Sequence, residues 1–376
     1  MRNAKLRQFA CLAGALVLAV LTLAPVPASA QALDAEQVMD AASVKRLRGF
    51  LVGDSRVRDK PRAIDSPQFI PVTDASLYMD QDSVVLIEEP RAEGDKAYIY
   101  PRSILVMHEV LNLSDGDGAK RSVTYSPLTG SVAGFWGVVH LHETAFGTTG
   151  QHLNMNRVFY DRTTNGVWPQ ILGQCIGGSL KGQTLSRFPL LWTRWKYAVA
   201  KYPDARVLSR QTGYRGYYDR DPYGSYQRDD TWYSTGEPTG PISNRDSRLA
   251  AKTRVLGMAV GESAVAFVES AVKQHGVASA GAGLTSLVAF YDQEMDAVRV
   301  FYAEADGRSL TFEKVRNEFI DQQTRSRWTV EGVAVEGRLR GLTLERAAAM
   351  DCMWFAWAAF FSASQIWSGP DSLLGF

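Results

Sequence analysis

Ala97-Tyr-Ile-Tyr-Pro-Arg-Ser-Ile-Leu-Val-Met-His-Glu-Val-Leu-Asn112, followed by Ser122-Val-Thr-Tyr-Ser-Pro-Leu-Thr-Gly130, is the stretch from which the rest of the chain is read. It predicts a strand, then a short helix carrying His108 and Glu109 toward its end. A second strand follows and ends in a polar turn at Ser126. A weaker copy of the same order recurs later in the chain.

In that copy, Gly261-Glu-Ser-Ala264 stands for Gly94-Asp-Lys-Ala97. His275 stands for His108, and Val288-Ala-Phe290 for Val123-Thr-Tyr125. Asp161 precedes Trp168 by seven residues, as Asp321 precedes Trp328. Gly178-Ser-Leu-Lys-Gly182 matches Gly337-Arg-Leu-Arg-Gly341, and Trp192-Thr-Arg-Trp195 matches Trp354-Phe-Ala-Trp357. A fixed order with small gaps is the signature of an internal repeat. The expected fold class is α+β and strand-rich: two pseudo-symmetric units, each a set of short β-strands with a Trp-x-x-Trp helix. Gly182 and Gly341 are expected where the backbone needs positive φ or close approach.

Outward from the two units, the chain divides as follows. Residues 1–30 read as a signal peptide: Arg2, Lys5 and Arg7, an apolar run from Phe9 to Ala24, then Pro25-Val-Pro-Ala-Ser-Ala30. The apolar run is short for a bilayer span of about 20 residues, so cleavage between Ala30 and Gln31 and a periplasmic or secreted product are expected. Residues 31–81 hold a helix from Leu33 to Leu51, capped by Asp34 with Gln37 reaching back, and an extended proline-bearing arm. Repeat unit 1 covers 82–212, a Tyr-rich connecting segment 213–253, repeat unit 2 254–367, and a tail 368–376. The connecting segment makes either a binding surface or the cover of a junction, rings tucked down and hydroxyls outward.

Without the signal the chain carries 38 basic and 40 acidic residues. That near balance argues against nucleic-acid binding, which needs a basic footprint. The mature chain offers no further transmembrane run. Cys175 and Cys352 are either a disulfide or two small core residues.

The motifs resemble those of the family known as domain of unknown function 3179, over about Pro61 to Trp367. The resemblance rests on Tyr-Pro-Arg-Ser-Ile-Leu-x-x-His-Glu at 100–109, Val-Thr-Tyr-x-Pro-Leu-Thr-Gly at 123–130 and Tyr-Asp-Arg-x-Thr-x-x-x-Trp at 160–168. It extends through Asp221-Pro-Tyr, Arg254-Val-Leu-Gly257 and the terminal Trp-Phe-Ala-Trp. It implies a shared fold and export, not a reaction. The family pattern has Cys where Ser126 stands, so this chain lacks the thiol that would serve a soft metal or a thiolate nucleophile. In the second unit Gly276 replaces the Glu after the histidine.

Each candidate site residue has a functional and a structural reading. His108 and Glu109 are candidates for general acid–base work, or a helix end tied to the adjacent strand; the recurrence of His275 favours the latter. Ser126 is a candidate nucleophile without the Gly-x-Ser-x-Gly elbow, or a turn residue. His140 and His142, at i and i+2 on a strand, face one way and could bind zinc or copper; otherwise they form a polar strand face. Asn112, Thr129, Asn154, Asn156 and Gln170 are candidate ligand-binding groups. Asp161 and Trp168, repeated as Asp321 and Trp328, favour a structural role. The balance favours an exported ligand- or partner-binding protein, or a catalytically degenerate family member. The alternatives are an enzyme acting on a small ligand at a His108/Glu109/Ser126 pocket and a metal-handling protein. The sequence names neither cofactor nor partner. A His108 buried against backbone would mark the structural role; one opening with Ser126 beside Asn154 or Gln170 would mark a pocket.

Overall fold

The computed structural model describes residues 39–78, 82–89, 96–114, 120–139, 142–215, 217–226 and 228–372. The expected signal peptide, the cleavage point and the Asp34 cap lie outside the described residues. The first described helix, α1 (Ala41–Leu47), starts later than expected; Asp40 caps it by accepting from the Ser43 N–H at 2.7 Å. Leu51–Gly53, placed at the end of that helix from sequence, is instead a short strand paired with Phe146–Leu153.

The protein is strand-rich α+β. Ser83–Glu89 carries Val84, Val85 and Leu86 with no exposure and pairs antiparallel with Lys96–Pro101. Its five-stranded sheet runs Leu191–Arg194, Ser83–Glu89, Lys96–Pro101, Arg206–Leu208, Phe69–Pro71. Helix α2 (Arg102–His108) leaves that sheet and ends at Glu109, whose φ of +61° halts it; the Glu109 N–H closes the last turn on the Leu105 carbonyl at 2.7 Å. The chain then enters the meander Val110–Ser114, Lys120–Ser126, Ser131–Trp136.

Later, Ser263–Val268 leads into helix α4 (Glu269–His275), ended by Gly276 at φ +81°. The meander Val277–Ala282, Thr285–Asp292, Ala297–Tyr302 follows. Arg254–Val260 lies between Ser263–Val268 and Met350–Met353, with Gln365–Trp367 parallel to the outer side of Ser263–Val268. This late group joins the early meander: Asp351 stands opposite Val132, making one eight-stranded sheet. Among the described residues, two four-stranded sheets, Leu51–Gly53 to Val167–Pro169 and Phe312–Val315 to Ala334–Glu336, complete the β-structure apart from two short two-stranded ladders.

Helices α3 (Trp195–Lys201) and α5 (Trp354–Phe360) each follow a strand directly. The Trp-x-x-Trp expectation holds for α5, which carries both Trp354 and Trp357. It is corrected for the first pair. Trp192 sits on the strand Leu191–Arg194, opposite Val85, and only Trp195 is helical. On that strand Leu191 and Thr193 are buried and the alternating Trp192 faces the Arg254 guanidinium at 4.8 Å.

Two local devices match the sequence reading. Gly182 and Gly341 adopt φ of +94° and +89°. Asp161, fully buried, accepts from the Thr164 N–H (2.6 Å), Thr164 Oγ1 (2.8 Å), the Gly166 N–H (2.8 Å) and the Trp168 indole (3.0 Å). Asp321 makes the same set with Thr324, the Ser326 N–H and Trp328. Each carboxylate thus folds a turn and anchors an indole. Asp161→Asn and Asp321→Asn turn an acceptor oxygen into a donor facing donors, so each loses roughly 2 kcal/mol. Urea unfolding of both variants checks this; an unchanged midpoint in either removes the anchoring role there.

Among the described residues, no helix is long and apolar enough to cross a membrane. Cys175 and Cys352 are separate buried thiols.

Candidate functional site

The end of α2 carries two residues that go separate ways. His108 is buried. Its Nδ1 lies 2.8 Å from the Arg62 carbonyl, which can only accept, so Nδ1 carries the proton. Nε2 then accepts from the Tyr218 hydroxyl at 2.7 Å, and Tyr218 sits 2.6 Å from Thr212 Oγ1. Burial lowers the His108 pKa, with the Arg62 carbonyl opposing. Both ring nitrogens are therefore engaged, and neither faces Ser126.

Glu109 points the other way. Its carbonyl accepts from the Tyr125 N–H at 2.8 Å, tying α2 to the neighbouring strand. One carboxylate oxygen pairs with the Arg157 guanidinium; both side chains are buried. The other, Oε2, is buried and takes no hydrogen bond among the described residues. Burial pushes the carboxyl up to about 7, against the pull of Arg157.

Arg157 joins this pair to the polar turn. Its N–H donates to Ser126 Oγ at 3.0 Å, and Thr129 Oγ1 donates to the same oxygen at 2.9 Å. Asn156 Nδ2 lies 3.1 Å from Thr129 Oγ1 and 3.0 Å from Gln170 Oε1, which also accepts from Ser131 at 2.5 Å. Gln170 Nε2 donates to the carbonyl and hydroxyl of Thr124, and Asn156 Oδ1 accepts from the Ile171 N–H. Ser126, Thr129, Ser131, Asn156 and Gln170 are at most 1% exposed. Such a densely bonded network rigidifies a core and leaves little free valence for a ligand.

The fold thus gathers four sequence candidates, Ser126, Thr129, Asn156 and Gln170, and links them to Glu109 through Arg157. It leaves three elsewhere. Asn112 binds Asp65, Ser122 and both backbone groups of Phe146. Asn154 accepts from the Ser243 N–H and donates to the Ala359 carbonyl, pinning the connecting segment to α5. His108 faces Arg62 and Tyr218. His140 and the side chain of His142 lie outside the described residues, though His142 opens a short strand with Glu143. Among the described residues, no three His, Cys, Asp or Glu side chains converge as metal ligands would.

Arg157, Ser131 and Tyr218 are the participants that the sequence reading missed. Arg157 had a signal: it alternates with Phe159 and Asp161 on a strand whose six residues are all buried, and a buried arginine demands a partner.

The Tyr-rich segment lies over the start of α2, but the hydroxyls of its Tyr226 and Tyr233 turn inward. Tyr233 donates to Asp221 at 2.9 Å, Asp221 pairs with the buried Arg102, and Tyr125 lies 3.3 Å from both Tyr226 and Tyr233. The expected outward hydroxyls are corrected for these rings: the hydroxyls meet buried charge that needs them.

Fold and site together define a strand-rich α+β protein with a buried, internally bonded polar motif. The model of the protein family of unknown function DUF3179 matches residues 58–364, and the chain belongs to that family. No curated protein and no solved structure matches it.

Proposed function

We propose that this is an exported, non-catalytic binding protein in which the His108–Glu109 and Ser126 motifs form an internal frame. One observation carries the reading. The polar side chains around Ser126 hydrogen-bond one another and backbone, Glu109 reaches them through Arg157 with only Oε2 left over, and His108 has both ring nitrogens occupied, by the Arg62 carbonyl and the Tyr218 hydroxyl. A histidine acting on substrate directly brings one ring nitrogen within hydrogen-bond reach of it, and here the two nitrogens reach Arg62 and Tyr218 instead. Export rests on the charged, apolar and small-residue grammar of residues 1–30.

The proposal includes an internal duplication over about 82–212 and 254–367. Its support is the shared order of strand, seven-residue helix, left-handed stop and three-stranded meander, together with the paired Asp–Trp anchors. The later unit keeps the histidine while a glycine holds the helix stop.

N-terminal sequencing of the exported protein, combined with native mass spectrometry, tests the reading. A chain starting at Gln31 with a bound small molecule or protein is the expected result. An intact Met1 overturns export, and a chain released without any ligand overturns binding.

A second reading, an acid–base enzyme, has two observations at Glu109 in its favour. Glu109 holds a left-handed conformation that side chains disfavour, where Gly276 serves the later helix, and it buries an unpaired oxygen. A turnover screen in which Glu109→Gln leaves all detected activity intact would remove it.

A further inference from the structure

We propose that the cleft beside the motif histidine binds an acidic sugar of the uronate type; this rests on the binding-protein reading and names the ligand for it. The cleft measures about 430 Å³ and is lined by Arg210, Tyr214, Arg215, Tyr217, Tyr218 and Asp219. That volume falls in the range of small-ligand pockets.

The lining divides into three kinds of surface. Tyr217 is 86% exposed, and Tyr214 is also exposed. Burying such rings normally stabilises a fold, so rings left standing in a cleft offer an apolar face to something else. Arg215 is exposed and has no hydrogen bond or ion pair among the described residues, leaving its planar set of donors for an anion. Arg62 stands over the Tyr214 ring at 5.7 Å and adds positive charge to the same side. Asp219 accepts from Arg210 at 2.6 Å and is 74% exposed, so it can still accept from a ligand hydroxyl.

A ligand matching all three needs a carboxylate for Arg215, a ring face for the tyrosines and hydroxyl donors for Asp219. A neutral sugar leaves Arg215 unpaired. An aromatic acid brings no hydroxyl donor for Asp219. A uronate supplies all three groups on one ring. The floor is fixed from below, because His108 and Thr212 hold the Tyr218 hydroxyl. His108 is thereby a positioning residue that never touches the ligand.

Calorimetric titration of the exported protein with digalacturonate, galactobiose and benzoate tests the proposal. Digalacturonate is expected to bind saturably and the other two at least roughly tenfold more weakly. Tyr217→Ala and Arg215→Gln are each expected to weaken digalacturonate roughly tenfold, with unchanged thermal melts because both positions are exposed. Leu284→Ser, at the tip of the hairpin joining Val277–Ala282 to Thr285–Asp292, is expected to bind like the parent. Equal binding of galactobiose or benzoate, indifference to both cleft variants, or no saturable digalacturonate binding overturns the proposal. If digalacturonate fails while native mass spectrometry finds another bound molecule, the cleft assignment falls and the binding reading stands.

Discussion

Glu88→Gln lowers the unfolding free energy by about 3 kcal/mol at pH 7, and the difference from the parent shrinks steadily below pH 4.5. Glu88 lies one residue before the end of the strand Ser83–Glu89, yet its partners come from far along the chain. Arg299 donates to both its oxygens at 2.6 and 2.8 Å, Arg346 adds a third contact at 3.0 Å, and the Tyr202 hydroxyl a fourth at 2.6 Å. Burial alone would raise its pKa. The two guanidiniums and the hydroxyl outweigh burial and hold the carboxyl at about 2. A carboxyl depressed below its unfolded value of 4.5 contributes stability above that pH and loses it as pH falls toward 2. The glutamine variant mimics the protonated form, so it has no such contribution to lose. It also leaves Arg299, 2% exposed, with Asp292 as its remaining carboxylate. Urea titrations at pH 7, 5, 4 and 3 measure the difference. Asp230→Asn, which breaks an exposed pair with Arg228, serves as the control with little change. A Glu88 difference independent of pH would refute the ion-pair account.

Glu109→Gln has the opposite sign. Here burial wins over Arg157 and the folded carboxyl titrates at about 7. A carboxyl raised above its unfolded value contributes fully below pH 4.5 and loses that contribution as pH rises through about 7. The loss is on the order of 3 kcal/mol over that window. His108 and His152 act the other way. Burial lowers both, His152 to about 3 with Arg157 adding to the effect, so their neutral forms favour folding above about pH 6.5 and oppose it in acid. The total pH profile therefore mixes opposing terms, and subtracting the variant isolates Glu109. The parent-minus-variant difference is expected to fall between pH 4.5 and 8. A flat difference would mean that Glu109 is ionised throughout as an ordinary partner of Arg157, which would also end its candidacy as an acid.

The two carboxylates share a chemical type and differ in neighbours. Glu88 has two guanidiniums and a hydroxyl, with 14% side-chain exposure; Glu109 has one guanidinium, 3% exposure and an unpartnered oxygen. Nothing in Val-Leu-Ile-Glu or Met-His-Glu distinguishes them. Similarly, His108 reads as chemistry beside Glu109, but a helix end that turns left-handed between them sends the two side chains apart. Trp192 and Trp195 share the i, i+3 spacing of a helix face. Strand pairing with Val84 and Val85 claims the first part of that motif, because a strand on a buried sheet satisfies more backbone than an early helix start would.

What the sequence determined by itself is what short stretches of chain decide. The strand-rich α+β class follows from alternating and buried apolar runs. The Asp161–Trp168 and Asp321–Trp328 anchors close within seven residues, and Gly182 and Gly341 answer local backbone demands. The gathering of Ser126, Thr129, Asn156 and Gln170 was half legible, since the polar residues stood out but not their mutual saturation. Tertiary structure alone decided the pairings that cross the chain: His108 with Tyr218, Glu109 with Arg157, Glu88 with Arg299, Asp351 opposite Val132. The partners in these contacts lie from 48 to 219 residues apart, beyond any local period. They form because burying a charged or polar group is costly until another element of the fold brings its complement.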